Sequence, residues 1–170
     1  MARFNSTLPK AQCAAKRSTL KNAFCLSLNK LCFEGVDSAY PSLACHLTRT
    51  FNYTLGGLTR ELKGKALAIN GMEEHVHLLV SLPPTISVSD ALRFIKANSC
   101  KWVHEKWPQR STFAWQLGYG AFSVSKSNVP EVVDYIRNQE EHHRKNNYQE
   151  EFLALLRKHG VEYDERYVWD

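Results

Sequence analysis

The stretch from Asn70 to Leu82, NGMEEHVHLLVSL, limits the fold more than any other part of the chain. Asn70-Gly71 is a turn signal, because both residues tolerate a left-handed backbone. The Val- and Leu-rich run that follows ends at Pro83-Pro84 and reads as a strand, with the preceding apolar run Lys65 to Asn70 as its hairpin partner. Side chains alternate across a strand. His75 and His77 therefore share one face, and Val76, Leu78 and Val80 share the other. Two imidazoles about 7 Å apart on one face can grip one ion or one phosphate. The competing reading is a chance His-x-His on a half-exposed strand.

The 170 residues suit one domain with its own core. The chain is 44% hydrophobic and 23% charged, a globular balance. No apolar run approaches the roughly 18–20 residues that span a bilayer, and no secretory leader pattern opens the chain. The expectation is a soluble cytoplasmic protein with no membrane partner. A net charge of +5 favours an acidic partner, nucleic acid first among them. The five cysteines, Cys13, Cys25, Cys32, Cys45 and Cys100, are odd in number and form no CxxC. They read as free thiols. A zinc site from Cys25, Cys32, Cys45 and His46 matches no established ligand spacing.

Residues 1–47 show no sustained period, and Ala23 to Leu28 fits a short strand or a helical turn equally. From Thr48 the chain becomes legible. Phe51, Leu55, Leu58 and Leu62 recur at helical spacing, weakened by Gly56 and Gly57, and Gly64 suits the stop. Ile86 to Trp107 predicts a helix capped by Ser87 or Ser89, with Leu92, Ile95, Ser99, Trp102 and Val103 on one face. Its cations Arg93, Lys96 and Lys101 are either a solvated surface or phosphate contacts. Phe113 to Ser125 predicts a strand bent at Gly118 to Gly120. A further helix begins near Asn128, with Asn128 and Glu131 as a capping pair, Pro130 in the first turn and a stripe of Val129, Val132, Val133 and Ile136. Tyr135 and Gln139 are four apart and lie on one face of it. His142, His143, Arg144 and Lys145 follow as surface residues or phosphate contacts. NNYQ reads as a break before a last helix, Glu150 to His159.

With the Tyr135 helix laid beside the histidine strand, two imidazoles, the Gln139 amide oxygen and a phenol converge. Such a set suits a divalent ion with open positions for phosphate oxygens. Magnesium prefers oxygen ligands, and manganese accepts imidazole more readily. A phenol beside it can attack a phosphodiester and form a phosphotyrosine. That adduct preserves the bond energy for rejoining, so cut-and-rejoin chemistry fits better than hydrolysis. The bland alternative for Tyr135 is a partly buried helix tyrosine.

AINGMEEHVHLLVSLPP, IKANSCKW, FAWQLGYGAFSVS and VVDYIRNQEEHH, in that order, resemble the single-tyrosine HUH transposases of the insertion-sequence 200/605 group, whose superfamily includes the REP-associated transposases. HUH denotes His-hydrophobic-His, here His75-Val76-His77. The resemblance covers about residues 51–170. It implies an α+β, RRM-like antiparallel sheet with helices packed on it. It implies metal ligands at His75, His77 and Gln139 for Mg2+ or Mn2+, and a nucleophile at Tyr135. It implies single-stranded DNA with hairpins as substrate, and a homodimer in which the tyrosine helix can complete the partner's site. Residues 1–50 depart from the family, whose first strand is missing here or replaced. A shifted frame, a rearrangement or a misassigned start would explain this, and loss of that strand would expose a sheet edge and loosen the metal site. The alternative function is a catalytically impaired or domesticated hairpin-DNA-binding protein. Processing of repeated hairpins by a housekeeping nuclease and hydrolysis of small phosphate esters stand further off.

Overall fold

A computed structural model of the protein describes residues 23–29, 41–72, 75–139, 141 and 148–164. In chain order the elements are β1 (Ala23–Asn29), α1 (Pro41–Glu61), β2 (Lys65–Gly71), β3 (His75–Ser81), α2 (Val88–Lys106), β4 (Gly120–Val124), α3 (Val129–Arg137) and α4 (Tyr148–Lys158). The strands form one antiparallel sheet in the order β2-β3-β1-β4. The βαββαβ succession and this order give the RRM-like α+β arrangement.

The missing first strand is present: Ala23–Asn29 takes the strand alternative and pairs with β3 along its whole length, Ala23 opposite Ser81 and Asn29 opposite His75. The histidine strand is thus covered on both edges, and no sheet edge opens beside it. The apolar alternation of Phe24, Leu26 and Leu28 had only a few residues in which to show itself, which is why periodicity alone left the segment open. Helix α1 also starts earlier than its apolar spacing indicates, at Pro41, and runs across residue 50 without a break.

The sheet separates two environments. On one face Leu26, Leu28, Val76, Leu78 and Val80 pack with Phe51, Leu55 and Leu58 of α1 and Leu92, Ile95 and Val103 of α2. Phe113 and Trp115 join this core. Their rings lie 5.9 Å and 5.7 Å from that of Phe51, and the Trp115 indole donates to Ser99 Oγ at 2.9 Å. This inward turn explains why the strand predicted from Phe113 is shortened to Gly120–Val124. The other face carries Cys25, Ser27, His75, His77, Leu79 and Phe122, and is covered by α3 and α4.

Local signals explain the ends of the elements. Ser87 Oγ accepts from the Asp90 amide at 3.1 Å and caps α2, as expected. Asn128 does not cap α3. It is already helical (φ −92°, ψ −5°), because a short 3-10 turn, Lys126–Asn128, leads straight into the helix. At the end of α1, Lys63 N–H donates to Arg60 O at 2.8 Å and Gly64 N–H to Thr59 O at 3.0 Å, a Schellman closure. The left-handed residue there is Lys63 (φ 57°), not Gly64. Gly64 is needed for closeness, since a Cβ would stand 3.0 Å from Ser81 O and 3.1 Å from Thr59 O. Asn70 and Gly71 likewise belong to β2, opposite His77 and Val76, so the chain turns after them. A Cβ on Gly71 would run into the His75 carbonyl and lie 2.7 Å from Val76 Cα.

Lys63→Gly is therefore expected to raise stability by about 0.5–1 kcal/mol by removing left-handed strain. Gly71→Ala should lower it by about 1–3 kcal/mol through the backbone clash. Urea denaturation of the two variants checks both signs.

Candidate active site

His75 and His77 are fully buried in the middle of the sheet, where His77 faces Ser27 of β1 on one side and Asn70 of β2 on the other. Their rings lean together, 4.9 Å between centroids and 75° between planes, which is closer than the bare strand repeat suggests. α3 brings the next two groups. Gln139, also fully buried, lies just beyond its last turn and sets Oε1 3.3 Å from His75 Nε2. Tyr135, half-buried, packs edge-on to His77 with 5.6 Å between ring centroids. The four-residue spacing thus serves both histidines, one partner each. Asn70 Nδ2 donates to Arg137 O at 3.3 Å and ties the end of α3 to β2.

α4 brings two groups that sequence reasoning passed over. Tyr148 stacks on His75 at 4.0 Å and 21°, and its hydroxyl lies 3.3 Å from Ser27 Oγ. Glu151 completes a group with His75 and His77 whose ligand atoms all lie within 4.8 Å of one another. The helix seats there through Phe152 and Leu156, packed with Phe122 and Tyr148. Gly120 makes room for it: a Cβ at that position would stand 2.8 Å from the Phe152 ring. The usable signal was the spacing Tyr148, Phe152, Leu156, which makes one stripe with Glu151 at its border. Reading NNYQ as a break hid its first member.

Burial sets the electrostatics. It pushes the Glu151 carboxyl up to about 7. Burial, then the neighbouring Glu151, pushes the Cys25 thiol up to about 12, so Cys25 stays protonated and apolar in character. Cys25 and Cys100 are the free cysteines among the described residues. Two imidazoles, an amide oxygen and a carboxyl group in one largely buried cluster form a donor set of the kind that can hold a divalent cation.

The basic residues fall elsewhere. α2 packs on the opposite face of the sheet from the histidines, so Arg93, Lys96 and Lys101 are separated from the cluster by the sheet. Arg93 pairs with Asp90 at 2.8 Å, and Lys101 approaches Glu105 at 3.8 Å. Lys96 donates to the carbonyls of Gln116, Leu117 and Gly118 at 2.8, 3.3 and 2.7 Å, holding the loop before β4. Burial lowers its pKa to about 8, which still leaves the ammonium with all three donors at neutral pH. Arg144, Lys145, His142 and His143 lie outside the described residues. No helix among the described residues is long and apolar enough to cross a membrane.

The geometry can be set beside known proteins. A family model described as "Transposase IS200 like" matches residues 41–139. The transposases for insertion sequence element IS200 of Salmonella typhimurium and Salmonella typhi are each 32% identical over 71 residues, 39% of this chain and 46% of theirs. The chain thus matches about half the length of these curated relatives. A crystal structure of a Deinococcus radiodurans protein, solved as a candidate transposase, shares the fold with a TM-score of 0.52 at 18% identity, over 74% of this chain and 96% of that one. So does a REP-associated tyrosine transposase bound to a REP hairpin, with a TM-score of 0.54 at 15% identity, over 84% and 74%.

Lys96→Met keeps the aliphatic stem and removes the three donors. It is expected to cost about 1–3 kcal/mol and to speed amide exchange across residues 116–120, as read by hydrogen-exchange mass spectrometry.

Proposed function

The chain belongs to the family of IS200-like transposases, and on that footing we propose that it is a tyrosine transposase that cuts and rejoins single-stranded DNA. The observation that carries this reading is the delivery of Tyr135 to His77 by α3 and of Gln139 to His75 by the turn that ends it. A phenol beside a cluster of metal-ligand type is what covalent phosphoryl transfer requires, and hydrolysis of small esters needs no such nucleophile.

In this reading Tyr135 Oη attacks the scissile phosphorus in line. A 5′-phosphotyrosine forms, and the 3′-oxygen leaves and takes up a proton. A DNA 3′-hydroxyl later attacks the adduct, frees Tyr135 and restores a phosphodiester, with no nucleotide cofactor. An unperturbed phenol loses its proton only near pH 10. His75, His77 and the Gln139 Oε1 would hold a divalent cation, magnesium or manganese, whose Lewis acidity draws charge from the phosphate and favours the phenolate. Tyr148 stacks on His75 and so fixes the plane of that imidazole. Asn70 holds the carboxyl end of α3 and so the approach of Gln139.

The substrate is DNA carrying hairpins, in line with the hairpin held by the REP-associated structural neighbour. Two strand cleavages with one nucleophile per chain call for a homodimer. Arg144 and Lys145, which follow the tyrosine helix in sequence, and more remotely Arg93 and Lys101, are proposed as phosphate contacts that add little sequence preference.

The protein mixed with Mn2+ and end-labelled single-stranded hairpin DNA from the flanks of its own gene should give a slow covalent band on a denaturing gel. Tyr135→Phe should abolish that band and leave the native-gel shift within about twofold, since only the nucleophilic oxygen is lost. A Phe variant that still cuts would refute the assignment. A shift without any band from the intact protein would favour a DNA-binding protein impaired in cleavage. His77→Ala should reduce both the rate and its response to added metal, and full activity of that variant in chelator would remove the metal from the mechanism.

A further inference from the structure

The ligand set named so far is uncharged. His75 and His77 bind metal as neutral imidazoles, and Gln139 offers an amide oxygen. A dication placed among them would sit in a fully buried pocket with no compensating charge from those three groups. Burying charge without an opposite charge is costly, and natural sites pair it. Among the described residues Glu151 is the acidic side chain that the fold brings to this cluster, one ligand atom of it lying within 4.8 Å of those of both histidines.

We propose that Glu151 is a direct metal ligand, delivered by α4, so that β3, α3 and α4 of one chain each contribute to the same ion. The inference rests on the metal reading above and adds an anionic ligand to it. Its placement is built by more than Glu151 itself. Tyr148, one turn earlier on α4, stacks on His75 and reaches Ser27 of β1. Phe152, next in sequence, fills the space left open at Gly120. These contacts fix the rotation of α4 about its axis and turn position 151 towards the histidines.

Two measurements that do not depend on catalysis test this. Mn2+ is titrated into the full chain, its Glu151→Gln and Glu151→Ala variants and His77→Ala by calorimetry. Expected for both Glu151 variants is Mn2+ affinity weaker by about tenfold or more. The Co2+-loaded Glu151→Ala variant should show altered d–d absorption. Unchanged affinity in both Glu151 variants, with binding lost in His77→Ala, would overturn the role of Glu151 and leave the metal reading standing. Weaker affinity with an unchanged Co2+ spectrum would also overturn it, because Glu151 would then only orient a ligand. No Mn2+ binding by the parent protein would overturn both.

Discussion

Backbone pairing along both edges of the histidine strand is the condition on which the rest of this molecule depends. A polar pair such as His75 and His77 can lie at zero exposure only if the peptide groups around it are already satisfied. β2 supplies one edge and β1 the other. With the backbone settled, the imidazole nitrogens are left to face side chains alone. The two helices that follow the sheet then bring an amide, two phenols and a carboxylate to meet them.

The sheet also divides labour. The face towards α1 and α2 is an unbroken apolar core around Leu26, Val76, Leu78 and Phe51. The face towards α3 and α4 mixes Leu79 and Ile136 with Ser27, Gln139 and the histidines. Alternation along a single strand is enough to produce this, since Val76 and His77 are neighbours in sequence and point into different layers. The apolar core and the buried polar cluster therefore draw on different residues of the same seven-residue strand. Large side chains on the core face can anchor the fold without crowding the site.

Much of this was readable from residue order. Strict alternation disclosed the histidine face, helical spacing disclosed α2, and the step from Tyr135 to Gln139 placed both on one side of α3. What escaped has physical causes. β1 is short and set in a stretch without period, so its identity comes from the partners it finds rather than from its own pattern. Asn70-Gly71 carries turn chemistry but serves in a strand, because Gly71 is wanted for its lack of a side chain rather than for its backbone freedom. Lys63 shows the converse, with an unfavourable backbone angle imposed by the closure of α1. Glu151 escaped because reading NNYQ as a break hid the Tyr148 stripe beside it, and only the docking of α4 joins it to histidines more than seventy residues away.

The same topology bears on how the chain acquires its shape. β2 and β3 are neighbours in sequence, but β1 meets β3 across about fifty residues and β4 across about a hundred, and such distant pairings are entropically the slowest to close. Until that closure the inner edge of β3 is an open template, ready to accept any other strand that reaches it first. A sheet whose histidine strand is sealed by a distant partner ties the assembly of the buried histidine cluster to a slow, non-local contact.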